Sequence, residues 1–118
     1  VNIFLELNKK LAILMKKHNY KTNIHEIHHI QKLDKPSGTA YLLAEQMNKI
    51  LKNKTSITAN RINKITGIHQ VTYTSDIDEI KIEHTAKNRD GFAIGAIIAA
   101  EWIIGKNGVY SLTDILKE

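Results

Sequence analysis

Apolar side chains recur at helical spacing through the first fifteen residues: Phe4, Leu7, Leu11, Leu14 and Met15, with Asn2 placed as the N-cap and the pattern ending near His18-Asn19. Residues Thr22 to Ile30 alternate and carry Ile24, Ile27 and Ile30, which predicts a strand. Lys32 to Gly38 contains the chain's one proline, Pro36, and reads as a loop. Ser37-Gly38-Thr39 then opens a second helix with apolar positions Ala40, Leu43, Met47, Ile50 and Leu51. From Ile57 to Thr74 the residues are β-branched and alternating, among them Ile68, Val71 and Tyr73. Ser75 to Asp78 reads as a hairpin turn and Glu79 to Ala86 as the return strand. Asn88-Arg89-Asp90-Gly91 breaks the pattern. Phe92 to Ile104 is the most apolar helix, with Gly105 at its C-cap and Trp102 in its core or at a subunit contact. A short element at 109–116 closes the chain. This order predicts an α+β domain: one mixed β-sheet of about four strands, covered by helices on one face.

Composition narrows the function classes. The chain has 118 residues, enough for one domain, with 42% hydrophobic and 25% charged residues, which argues against disorder. There is no Cys, so disulfides, thiolate zinc sites and a cysteine nucleophile are excluded. The run from Phe92 to Trp102 is broken by Gly95 and Glu101 and is too short to span a bilayer. No membrane association is expected, and the expected location is cytoplasmic. A net charge of +5 raises the question of nucleic acid. Yet the positive residues are mostly scattered Lys, and aromatics are only 6%, too few for a base-stacking platform. No nucleic-acid partner is expected.

The densest chemistry lies between His25 and Thr39. His25-Glu26-Ile27-His28-His29 matches the H-E-x-x-H metalloprotease pattern, but that motif needs a helix, where residues four apart lie at roughly 6 Å. On a strand the same spacing is about 13 Å, too far for two ring nitrogens to share one zinc ion. No metal is therefore expected. On a strand, Glu26, His28 and Ile30 share one face and His25, Ile27 and His29 the other. His28 titrates near neutrality and suits proton transfer, and Lys32 adds a fixed positive charge. The turn Pro36-Ser37-Gly38-Thr39 starts a helix whose free N–H groups attract anions; Gly38 permits close approach and Thr39 offers a hydroxyl. Together these describe a pocket for a small anion, most naturally a carboxylate, although Ser37 as a plain cap and Pro36 as a loop former would leave the same residues. His18 and His25 read as solvent-facing. His84 reads as a structural residue, out of phase with Ile80 and Ile82 or at the strand's edge.

The stretch Glu26-Ile27-His28-His29-Ile30-Gln31-Lys32-Leu33-Asp34-Lys35-Pro36-Ser37-Gly38-Thr39-Ala40 resembles the signature E-x-H-H-x-x-K-x-D-x-P-S-G-T-A of the 4-hydroxy-tetrahydrodipicolinate reductases (dihydrodipicolinate reductases). Val1-Asn2-Ile3-Phe4 is similar to the G-V-N-hydrophobic opening of that family's C-terminal domain. Ile82 to Ala96 is similar to its I-x-H-x-A-x-x-R-x-x-F-A-x-G-A segment, and Gly108 to Leu116 to its closing G-x-Y-x-M-x-D-V-L. Arg61 and His69 stand where the family has an R-x-G-x-x-G-x-H stretch, with one Gly lost and Lys54 to Gly67 short for the family.

The resemblance implies an enzyme that reduces a cyclic dicarboxylate precursor with NADPH or NADH on the diaminopimelate route to lysine. It assigns His28 and Lys32 to catalysis, His29, Lys32, Ser37, Gly38 and Thr39 to the substrate carboxylates, and Arg89 and Phe92 to the cofactor. It implies a homotetramer built through the β-sheet. Residues 1–118 are then a single C-terminal substrate-binding and oligomerisation domain, with the tail at 109–118 packing against a dinucleotide-binding Rossmann domain. No G-x-x-G-x-x-G fingerprint occurs in these residues, so this chain alone is expected to be inactive. The competing class is a non-catalytic module that binds an anion or nucleic acid, or serves assembly. Salt-dependent affinity for generic DNA without a preference for dicarboxylates would mark it.

Overall fold

The computed structural model describes residues 1–62 and 64–88. They form α1 (Asn2–Met15), β1 (Lys21–His28), α2 (Gly38–Leu51), β2 (Ser56–Arg61), β3 (Gly67–Thr74) and β4 (Glu79–Ala86). The sheet order is β2-β1-β3-β4, with β1 and β2 parallel and the other pairs antiparallel, so the sheet is mixed as expected. The helix expected at 92–104 and the tail expected at 109–118 fall outside the described residues. Among the described residues no helix is long and apolar enough to cross a membrane.

Parallel pairing of β1 and β2 requires a crossover, and α2 supplies it. Ser37 begins the crossover helix in extended conformation, its hydroxyl accepting the Ala40 N–H at 3.2 Å. Lys52 ends it in the left-handed region at φ 58°, its N–H returning to the Asn48 carbonyl. β3 and β4 are joined by the expected turn, with Ser75 N–H on the Asp78 carbonyl at 2.9 Å.

One sheet face is covered. Ile57, Ile24, Val71 and Ile82 stand in register across all four strands, and Phe4, Met15, Ala40, Leu43 and Met47 from the two helices pack with that row. Asn8 is fully buried between the helices, where its amide donates to the Leu43 carbonyl and to Gln46 Oε1.

Some boundaries and phases differ from the sequence expectation. Val1, not Asn2, is the N-cap of α1, without a side-chain cap bond. Phe4, Asn8, Ala12 and Met15 form its buried stripe, while Leu7 and Leu14 are exposed. β1 ends at His28, two residues early, and leaves Ile30 exposed. The β-branched stretch from Ile57 to Thr74, which the pattern allows as one strand or two, is two strands, β2 and β3, on opposite sides of β1.

Candidate functional site

Two residues along the sheet from the apolar row, the covered face turns polar. Ala59, Glu26, His69 and His84 stand in register there, and the next row holds Arg61 beside His28 and Gly67 beside Ala86. The period-two alternation of a strand puts Ile24, Glu26 and His28 on one face, so an apolar core and a charged site share one strand. α2 begins over this polar end, bringing Ser37 to His69 with Oγ and Nε2 3.0 Å apart.

A cleft of about 340 Å³ opens here, within the usual range of small-ligand sites. His28, Lys32, Ser37, Gly38 and Thr39 all line it, so five of the six residues expected to serve catalysis or substrate are brought together. His69, His84, Gly67 and Asp34 line it as well. His29 does not: it follows the strand's last residue on the opposite alternation, half-buried, its carbonyl accepting the Lys32 N–H. Arg89 and Phe92 lie outside the described residues. A Cβ built at Gly38 would meet no atom of the described residues within 4 Å, so they leave the backbone at the start of α2 open. At Gly67 the reverse holds, since a Cβ would stand 3.0 Å from His28 Nε2; the glycine is what admits the ring.

Beneath the cleft lies a charged network. Glu26 is fully buried, one oxygen against His28 Nδ1 and the other receiving Arg61 Nη1 at 2.6 Å. Arg61 Nη2 donates to the Asp34 carbonyl at 2.5 Å, and the Asp34 carboxylate pairs with Lys32 Nζ at 3.1 Å. The His28 and His69 rings meet edge to face with centroids 5.1 Å apart. Burial alone would raise the Glu26 carboxyl, but Arg61 and His28 outweigh it and hold the group below its ordinary value. Burial lowers His28, against the pull of Glu26. It pushes His69 down to about 4, with the neighbouring His28 adding to the effect, so His69 is neutral at pH 7. Asp34 is lowered by Lys32 and by the backbone N–H of Gly38. His84 is lowered by burial.

His84 corrects the expectation that set it apart from Ile80 and Ile82. Its even position places it with them on the covered face, where its ring packs 5.7 Å from Phe4 and lines the cleft. Glu26 and His69 carried no role in the sequence reading beyond the resemblance. The available signals were the shared parity of Glu26 with His28 and the Gly67-x-His69 spacing. His18 is exposed as expected, whereas His25 is half-buried on the sheet face away from α1 and α2, with Nδ1 2.6 Å from Thr58 Oγ1.

Glu26, His28 and His69 each offer a ligand atom within 4.8 Å of the others, which is metal-like spacing. Charge opposes that use. Arg61 occupies Glu26, and Lys32 lines the same cleft, so a dication would face two fixed positive charges. The same charges, with the amide groups at the start of α2, suit an anion.

A family model described as dihydrodipicolinate reductase, C-terminus, matches residues 1–116. The chain is 47% identical over 131 residues to a 4-hydroxy-tetrahydrodipicolinate reductase of Christiangramia forsetii, covering all of this chain and 55% of that protein. It is 40% identical over 119 residues to the reductase of Thermosipho africanus, covering all of this chain and 52% of that one. The chain thus spans about half the length of the curated relatives it matches. Among solved structures, dipicolinate-bound dihydrodipicolinate reductase from Paenisporosarcina sp. TG-14 is similar with a TM-score of 0.73 and 25% identity, over 96% of this chain and 51% of that one.

Proposed function

This chain belongs to the dihydrodipicolinate reductase C-terminal family, and from that premise we propose that it is the substrate-binding half of a 4-hydroxy-tetrahydrodipicolinate reductase. The observation that carries the reading is one cleft that joins a lysine, an open helix N-terminus and a buried histidine paired with a buried carboxylate. A planar ring with two carboxylates is complementary to it. One carboxylate takes Lys32 and the other the backbone N–H groups and hydroxyl at Gly38 and Thr39, with Ser37 fixing that turn. A relative with a similar fold is described as dipicolinate-bound, which supports a dicarboxylate ligand. The place of His29 on a substrate carboxylate rests on the family resemblance.

In this reading His28 exchanges the proton of the reaction and Lys32 donates a proton or polarises the ring. NADPH or NADH, bound elsewhere in a full-length reductase with help from Arg89 and Phe92, supplies the hydride that converts 4-hydroxy-tetrahydrodipicolinate to tetrahydrodipicolinate. The chain by itself is inactive.

The sheet face that neither α1 nor α2 covers among the described residues, with Asn23, His25, Gln70 and Thr72 half-buried and Ile27 beside Ile68, is the surface we assign to a homotetramer. Sedimentation of the chain reads this directly. For the reaction, the test is hydride transfer by this domain joined to a dinucleotide-binding domain. His28→Ala is expected to lower kcat by about 10²-fold or more, and Lys32→Ala to raise KM for the dicarboxylate. Unchanged kinetics in both variants would overturn the assignment.

A further inference from the structure

Glu26 does not line the cleft, yet it is the most completely buried ionisable group beside it. Its two oxygens have different tasks. One is taken by Arg61, whose other nitrogen holds the Asp34 carbonyl in the loop that carries Lys32. The other faces His28 Nδ1. An ionised carboxylate can only accept, so the nitrogen facing it carries a proton. That leaves Nε2, against the bare backbone of Gly67, as the ring atom free to exchange a proton with a ligand.

We infer that Glu26 is a positioning residue: it fixes the Nδ1–H tautomer of His28 and, through Arg61, ties that ring to the loop that presents Lys32. The inference rests on the reading of His28 as a substrate-facing residue. Among the described residues, the charged and titratable groups around the ring are Glu26 on its own strand, Arg61 on β2, His69 on β3, and Lys32 with Asp34 in the loop. Arg61, Lys32 and a protonated His69 all disfavour a charged His28 ring. Glu26 is the carboxylate in contact with it.

Glu26→Gln separates the two tasks. The amide has a single acceptor, and Arg61, with only donors to offer, claims it. The amide nitrogen then turns to His28 and needs an acceptor at Nδ1, so the neutral ring must move its proton to Nε2. The variant therefore inverts the tautomer and also lowers the His28 pKa further, since a charge that stabilised the imidazolium is gone.

The experiment is ¹⁵N NMR of the imidazole nitrogens in this chain at pH 8, with the His28 signals assigned by His28→Asn. The wild-type ring is expected in the Nδ1–H form and the Glu26→Gln ring in the Nε2–H form. A wild-type ring protonated at Nε2, or a variant with the wild-type tautomer, overturns the inference. Should Glu26→Gln fail to fold, the wild-type spectrum alone decides. Adding pyridine-2,6-dicarboxylate separates the two readings. Shifts at His28 with the wrong tautomer count against the positioning role only. The right tautomer without any ligand response counts against the substrate reading only.

Discussion

His28 is held below the ordinary histidine value of 6.5, chiefly by burial, so in the empty cleft it is largely neutral at pH 7. A dicarboxylate placed beside it adds negative charge and raises that value, so binding takes up a proton. Affinity for pyridine-2,6-dicarboxylate is therefore expected to rise as the pH falls from 8 toward 6. Calorimetry in buffers of different ionisation enthalpy should report a positive proton uptake, and His28→Gln should abolish it. Gly67 is a second sensitive residue. Gly67→Ala places a methyl 3.0 Å from His28 Nε2, and the ring must move or lose its open nitrogen. We expect at least a tenfold loss of dicarboxylate affinity, about 1.4 kcal/mol, with the fold kept. At this scale the sequence was informative wherever chemistry and spacing coincided. Strand parity alone puts Glu26 and His28 on one face. It could not show that Arg61 would reach Glu26, because that contact joins residues 35 apart through a parallel pairing that no local pattern encodes.

The start of α2 carries both capping and site geometry. Ser37 Oγ accepts the Ala40 N–H and also meets His69 Nε2, so one buried hydroxyl pins the helix to the sheet beneath it. Ser37→Ala removes a cap and strands a buried ring nitrogen, at an expected cost of about 1–3 kcal/mol in urea unfolding. Ser37→Thr should restore most of it. The two bland roles read from the sequence, a capping Ser37 and a loop-forming Pro36, therefore coexist with the anion site and do not compete with it. α1 was legible as a helix but not in its phase. Leu7 and Leu14 continue the apolar pattern yet stay exposed, while Asn8 is buried because α2 offers its amide two acceptors. Hydropathy alone cannot foresee a polar side chain drawn inward by a partner helix.

Across the whole domain, the polar end of the covered face makes stability depend on pH. His69 titrates at about 4 when folded and near 6.5 when unfolded, so the unfolded chain binds the extra proton between those values. Stability is complete above about 6.5 and is lost as the pH falls toward 4, by on the order of 3 kcal/mol. Glu26 and Asp34, both lowered in the fold, carry the loss further into acid. Melting temperatures from pH 7.5 to 4 should show this slope, and His69→Gln should flatten its upper part; equal slopes would remove His69 as the cause. The α+β class, the mixed sheet and the β3–β4 hairpin could all be read from alternation and turn residues. The placing of the two halves of Ile57 to Thr74 on opposite sides of β1 could not, since pairing order is set by the crossover through α2 and not by β propensity.

The most direct test is a calorimetric titration of this chain with pyridine-2,6-dicarboxylate, with Lys32→Ala and a pyridine monocarboxylate run alongside. A dicarboxylate cleft formed by Lys32 and the start of α2 gives saturable 1:1 binding that is lost in the variant and at least tenfold weaker for the monocarboxylate. Absence of saturable binding, or binding untouched by Lys32→Ala, would contradict it.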